Sequence, residues 1–296
     1  MKPETIGLSD GTVSVLRWDE AGPDAPLLHI AHATGLNAQS YRQLGERLSD
    51  RFRVIATDAR GHGMTDLPAD PAQLTSWLRY VDDLAAVLET FGEPAFLVGH
   101  SMGAAVTLML AATRPDLARG AVLLDPAVVP YAQLEQRERD ARVGVRLDAE
   151  IARTAARRRA DWPSRDAIRK AYDGRGMFAW WRPGTLDDYL DGGLRTLPDG
   201  RVTLACSPAW EAATFNSVTT QLWRLAPQCE VPVALMRADI ASTFAAAEAE
   251  ALQRLLPHTI IAHAEGRTHF LPQEDLDLVA DFVLEQCARM EQTEPV

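Results

Sequence analysis

Ala95-Phe-Leu-Val-Gly99-His100-Ser101-Met102-Gly103-Ala104-Ala105 is the stretch on which the reading of this 296-residue chain turns. The apolar run ending at Val98 has the length of a buried strand, and the run from Met102 to Thr113 has helical spacing. Between them stands Gly-x-Ser-x-Gly. A serine on a sharp strand-to-helix turn sits in a strained backbone conformation, and a glycine two positions to either side lets neighbouring chain pass without a side-chain collision. Ser101 is thereby lifted clear as a nucleophile. The helix that starts there aims unpaired N–H groups and its positive dipole end at the oxygen that turns negative in a tetrahedral intermediate. Met102 N–H is the natural first donor.

Working outward, further short apolar runs of the buried-strand type cover Leu27 to Ala31, Val54 to Thr57, Ala121 to Leu124, Val231 to Met236 and Thr259 to Ala262. Helical spacing fills Trp77 to Phe91, Phe244 to Leu256 and Leu276 to Met290. Strand and helix therefore alternate, which implies crossover units, a mainly parallel sheet with helices on both faces, and a ligand site beyond the carboxyl ends of the strands. Ahead of this unit, Thr5 to Leu8 and Thr12 to Trp18 flank Asp10-Gly11, a hairpin turn dipeptide, and predict two antiparallel strands. The alternation fails between residues 130 and 227. Arg-rich helical stretches, aromatics and Gly-Pro turns replace it there, so the chain divides into a core of residues 1–129 and 228–296 and an insertion of residues 130–227. The mixed charge clusters of the insertion read as solvated faces of amphipathic helices.

At this point the chain resembles the α/β-hydrolase superfamily, and further motifs occur in that superfamily's order along most of the chain outside the insertion. His32-Ala33-Thr34-Gly35 is similar to its His-Gly-x-Gly oxyanion loop, with Ala33 in place of a glycine; the resemblance implies Thr34 N–H as second oxyanion donor. Asp58-Ala59-Arg60-Gly61-His62-Gly63-Met64-Thr65 resembles a structural turn of the family, tied by its own hydrogen bonds. Glu265-Gly266-Arg267-Thr268-His269-Phe270 follows the last predicted strand, and His269 matches the superfamily's catalytic histidine. An imidazole with near-neutral pKa first accepts and later donates the proton. By position, the insertion following Asp125 corresponds to a helical cap over the active site, and Trp162, Tyr172, Phe178, Trp180, Trp181, Trp210 and Trp223 concentrate aromatic area in it.

Two aspartates compete to be the acid that orients His269. Asp125 ends the run from Ala121 and precedes Pro126, a position used by a minority of the superfamily. Asp239 follows the next strand, but the commoner Gly-x-x-Asp pattern laid without gaps over this stretch puts Ala241, not Asp239, in the acid's place. Asp125 is preferred and Asp239 is the alternative.

The formal net charge of −11 argues against a nucleic-acid surface and against electrostatic docking on anionic membranes, both of which need clustered, uncompensated cations. Cys206, Cys229 and Cys287 suit neither a disulfide framework nor a zinc site. Met1 to Thr12 lacks the pattern of a signal peptide and no run is long enough to span a bilayer, so a cytoplasmic protein without stable membrane insertion is expected. An oligomer is compatible with all of this. The resulting expectation is a serine hydrolase that cleaves a carboxylic ester or lactone of a small, largely apolar substrate through an acyl-enzyme, with no cofactor or metal. The alternatives are another acyl or carbon–carbon bond hydrolase or an acyltransferase on the same triad, or a hydrolase-like binding protein with little turnover.

Overall fold

The computed structural model describes residues 1–145 and 147–292; Arg146, inside the expected insertion, and the last four residues of the expected core lie outside the described residues. In chain order the strands are β1 (Lys2–Leu8), β2 (Gly11–Trp18), β3 (Leu27–Ala31), β4 (Arg53–Thr57), β5 (Ala95–His100), β6 (Ala118–Leu124), β7 (Asp161–Trp162), β8 (Leu194–Thr196), β9 (Val202–Leu204), β10 (Val233–Ile240) and β11 (Ile260–Thr268). Eight of them form one sheet in the order β1-β2-β4-β3-β5-β6-β10-β11. The hairpin β1–β2 and the β2–β4 pair are antiparallel, and every pairing from β4 to β11 is parallel.

The central strands are continuous apolar runs because both of their faces are covered. Successive residues alternate between two cores: Leu97, Leu123 and Leu235 face one, and Val98, Leu124 and Met236 face the other. The first core receives the helices Leu78–Glu89, Met102–Thr113 and Ala246–Leu255. The second receives Arg42–Leu48 and Leu276–Glu291. Met102 to Ala112 are all buried, and their small Ala side chains let this helix lie close on the sheet behind the turn it starts from.

Two features depart from the expected pattern. β10 runs to Ile240 and β11 to Thr268, well past the apolar runs that announced them, because their ends protrude beyond the covered part of the sheet and carry exposed polar residues. Asp239 thus lies within a strand and not after one. The stretch from 130 to 227 also contains a small antiparallel sheet, β7-β9-β8, whose strands of two or three residues are too short to show a period. Its helices are anchored to the core by buried polar groups: Trp210 Nε1 donates to Arg60 O at 2.9 Å, Trp77 Nε1 to Thr214 O at 2.8 Å, and Trp223 Nε1 to Val129 O at 2.7 Å. Among the described residues no helix is long and apolar enough to cross a membrane.

Chain passes very close to chain where the elbow meets the sheet. A Cβ added at Gly103 would stand 2.2 Å from Ala31 O, and one at Gly99 would stand 2.3 Å from Gly103 O. Both obstacles are backbone, so a substitution must displace the helix. Gly103→Ala is expected to lower unfolding stability by about 1–3 kcal/mol, the usual cost of overpacking. Gly7→Ala, which meets nothing within 4 Å, should stay within about 0.5 kcal/mol of the parent. Urea midpoints of the two variants check this; equal midpoints would show that the elbow is not tightly packed.

Candidate active site

The register of β5 carries the chain to His100 and then turns it abruptly. Ser101 has φ 56° and ψ −117°, its N–H donates to Leu124 O at 3.0 Å, and its carbonyl accepts from the N–H groups of Ala104, Ala105 and Ala127. The strained residue is thus held from both sides. Among the described residues only Ser101, Asp125 and Ala241 combine a side chain with positive φ, and all three lie at this end of the sheet. Such concentration of strain is typical of functional sites, where surrounding structure over-determines the backbone.

His269 sits after β11 with its ring over the elbow. Its Nε2 is 3.0 Å from Ser101 Oγ and its Nδ1 is 2.6 Å from Asp125 Oδ2. The carboxylate accepts the Nδ1 proton, which leaves Nε2 with its lone pair toward the serine hydroxyl. Asp125 is fully buried and is held on its other sides as well: Oδ1 accepts from Ala238 N–H at 2.8 Å and Ser242 Oγ at 2.5 Å, and Oδ2 accepts from Thr243 N–H at 3.0 Å. Burial alone would push this carboxyl up. The His269 hydrogen bond and charge, with Ser242 and Ala238, outweigh it and hold the group below its ordinary value.

Asp239 is elsewhere. Its carboxylate accepts from Gly266 N–H at 3.1 Å and meets His263 Nε2 at 3.1 Å on the half-exposed end of β10, and no hydrogen bond joins it to His269 among the described residues. The loop that would carry an acid in the commoner pattern has Ala241 at φ 51° and then Ser242 and Thr243, which clasp Asp125 instead. Sequence reasoning missed these two partners. The signal was present as a Ser-Thr pair immediately after the gap-free acid position.

Thr34 lies on the loop after β3 and Met102 opens the helix behind Ser101. Neither main-chain N–H is engaged among the described residues; for Met102 this is expected of a first helical turn, whose N–H groups have no intrahelical acceptor. The loop around Thr34 is braced by buried histidines. His32 Nδ1 donates to Ala33 O at 2.8 Å while Nε2 accepts from Ala59 N–H at 2.9 Å; His62 Nδ1 donates to Arg60 O at 3.0 Å while Nε2 accepts from Gly35 N–H at 3.1 Å. Asp58 accepts from the N–H groups of Ala38 and Met64, and Arg60 forks onto Asp83. His32 and His62 are both fully occupied as neutral braces.

A cavity of about 470 Å³ opens on Thr34 and Gly35, walled by Tyr172, Phe178, Phe215 and Phe270 together with Arg158, Arg159 and Arg175. Arg158 pairs with the buried Glu211 at 2.6 Å, and the Glu211 carboxylate rests against Gly35. Arg159 lies over the Trp162 ring at 4.3 Å, and Arg175 has no ion-pair partner among the described residues. The stretch from Leu204 to Glu211 supplies this contact: Ser207 caps the helix Pro208–Asn216 and presents Trp210 and Glu211 to the core loops. Trp180 is exposed, whereas Trp210 and Trp223 are spent on packing. The three cysteines are buried thiols, and Cys206 in particular is pushed well up by burial.

The neutral histidines have a consequence for acid stability. His29, His62 and His100 are each pushed down to about 3 by burial, against an unfolded value near 6.5. Between those values the unfolded chain binds more protons, so stability is fully present above about pH 6.5 and falls as the pH drops toward 3. Unfolding at pH 5 should take up about three protons at these positions. Urea midpoints that stay flat between pH 7.5 and 4.5 would contradict this.

A family model described as the alpha/beta hydrolase family matches residues 27–282. A 2-(acetamidomethylene)succinate hydrolase of Mesorhizobium japonicum is 31% identical over 269 residues, covering 87% of this chain and 88% of the relative. Lipase LipV of Mycobacterium tuberculosis is 34% identical over 188 residues, 63% of this chain and 64% of the lipase. Among solved structures, an E-2-(acetamidomethylene)succinate hydrolase superposes with a TM-score of 0.77 at 24% identity, covering 97% of this chain and 99% of the other. An enol-lactonase of Burkholderia xenovorans superposes with a TM-score of 0.68 at 18% identity, covering 96% and 100%. These two superpositions speak for the architecture alone, but with the family match and the Mesorhizobium relative they agree on one conclusion. The chain belongs to the α/β-hydrolase family, a family of hydrolases built on a mostly parallel sheet flanked by helices.

Proposed function

We propose that this hydrolase is a serine enzyme that cleaves a carboxylic ester or lactone of a small molecule through an acyl-enzyme, with Ser101 as nucleophile, His269 as general base and acid, and Asp125 as the triad acid. The observation that carries the reading is the continuous chain of contacts from Asp125 through His269 to Ser101, at 2.6 and 3.0 Å. Asp125 fixes the tautomer and stabilises the imidazolium as His269 takes the Ser101 proton. Oγ attacks the carbonyl, and the N–H groups of Met102 and Thr34 receive the oxyanion. His269 then returns its proton to the leaving group, and water activated by the same ring releases the acid. In this reading residues 130–227 act as the cap, closing the cavity over Thr34.

Wild type should release a burst of p-nitrophenol from p-nitrophenyl esters, and Ser101→Ala should abolish it. Asp125→Asn should lower kcat by about 10,000-fold by favouring the wrong tautomer, while Asp239→Asn should leave it within about threefold. Loss of activity in Asp239→Asn with retention in Asp125→Asn would reverse the assignment of the acid.

One set of side chains favours a second reading of the substrate, an acyl or amide bond in a molecule that carries a carboxylate. Arg158, Arg159 and Arg175 share one cavity wall in a chain of net charge −11, and planar guanidinium groups suit carboxylates. The succinate-derived compound in the name of the Mesorhizobium relative belongs to that class. A half-ester of a dicarboxylic acid should then show a KM at least about tenfold below that of the matching neutral ester, about 1.4 kcal/mol in binding. Arg159→Gln combined with Arg175→Gln should erase the difference. Equal KM values for the two esters in wild type would leave the neutral ester as the better description.

A further inference from the structure

We infer that Tyr41 and His100 are positioning residues that lock the oxyanion loop and the His269 loop to the strand presenting Ser101. This rests on the catalytic roles proposed above. Ala33 N–H lies 3.1 Å from Tyr41 Oη, Tyr41 Oη lies 2.6 Å from His100 Nδ1, and His100 Nε2 lies 2.7 Å from the carbonyl oxygen of His269. The three contacts form one chain of hydrogen bonds across the site.

The direction of every proton in it follows from chemistry. A carbonyl oxygen only accepts, so the hydrogen of His100 is on Nε2. Burial keeps the His100 ring neutral, which leaves Nδ1 as an acceptor and makes Tyr41 the donor to it. The Tyr41 oxygen in turn accepts from Ala33 N–H. Both side chains are buried, Tyr41 at 2% exposure and His100 at 1%, so water does not compete for these bonds and a missing partner is costly.

What the chain joins gives it meaning. Ala33 directly precedes Thr34, the second oxyanion donor; His100 directly precedes Ser101; and the carbonyl belongs to the base itself. Its ring stands 5.0 Å from that of His100. Two side chains therefore set the relative placement of nucleophile, base and oxyanion loop, three parts carried by three different strands. The anchor on Ala33 N–H also holds the loop's backbone at a position where this chain has a Cβ and its family usually has none.

Displacement by a fraction of an ångström costs far more in the transition state than in substrate binding. Tyr41→Phe, which deletes only the hydroxyl, is expected to lower kcat for p-nitrophenyl esters about 10- to 100-fold with KM within about threefold. Affinity for an alkyl boronic acid, which forms a tetrahedral adduct on Ser101, should weaken in step with kcat. His100→Gln keeps a donor for the His269 carbonyl and should recover at least tenfold of the activity lost in His100→Leu, about 1.4 kcal/mol of barrier. A merely structural role predicts lower urea midpoints without this kcat-selective pattern. Tyr41→Phe with kcat and boronate affinity within twofold of wild type, or His100→Gln no better than His100→Leu, overturns the inference. If wild type turns over no ester and Ser101→Ala is indistinguishable from it, the hydrolase reading itself fails. Amide exchange at Ala33 then decides the lock: faster exchange in Tyr41→Phe upholds it, and unchanged exchange overturns it.

Discussion

A buried carboxylate facing an imidazole across 2.6 Å is the constraint around which this end of the molecule is organised. A charge at that depth is tolerated only when every lone pair is answered, and Asp125 is answered by a ring N–H, two backbone N–H groups and a serine hydroxyl. Satisfying it requires β6 to be followed directly by a residue at φ 42° and the loop after β10 to bend back with Ala241 at φ 51°. Strain at two non-glycine positions is therefore part of how the carboxylate is enclosed.

A second layer of the same logic surrounds the loops after β3 and β4. Three histidines, His32, His62 and His100, lie in the interior with their ring nitrogens engaged, each with burial as the main cause holding its pKa down. A neutral imidazole offers one donor and one acceptor at fixed geometry, which suits backbone groups that no strand or helix pairs. The loops around Thr34 and Ser101 gain rigidity from this, though they contain little regular structure.

The segment from 130 to 227 is attached by a different device. Its indoles enter the core region and give their N–H groups to backbone carbonyls, so apolar area and one directed hydrogen bond act together. The Arg158–Glu211 pair sits where that segment meets Gly35, between the cavity and the loop after β3. The loop after β3 and the cavity wall are mechanically joined at this contact.

What could be read from residues alone followed from local periodicity and from short motifs whose neighbours carry the information. The run Leu27–Ala31 and the helix Met102–Thr113 appear with the bounds expected, because both are buried on all sides and their apolar patterns stop where the elements do. The positions of Ser101, His269, Thr34 and Met102 close to strand ends were legible for the same reason: each has a recognisable flank. The protruding ends of β10 and β11, the three-stranded sheet at 161–204 and the partners of Asp125 were not legible, since exposed strand ends have no apolar signature and two-residue strands have no period. Which of Asp125 and Asp239 meets the imidazole depended on which loop bends toward it, a matter of residues more than a hundred positions apart. The links through Tyr41 and Glu211 belong to the same class. Sequence by itself determined the layered sheet and the sharp strand-to-helix turn at Ser101, whose causes are local, and tertiary structure alone decided which distant polar groups meet, because a hydrogen bond is specified by position in space and not by neighbours in the chain.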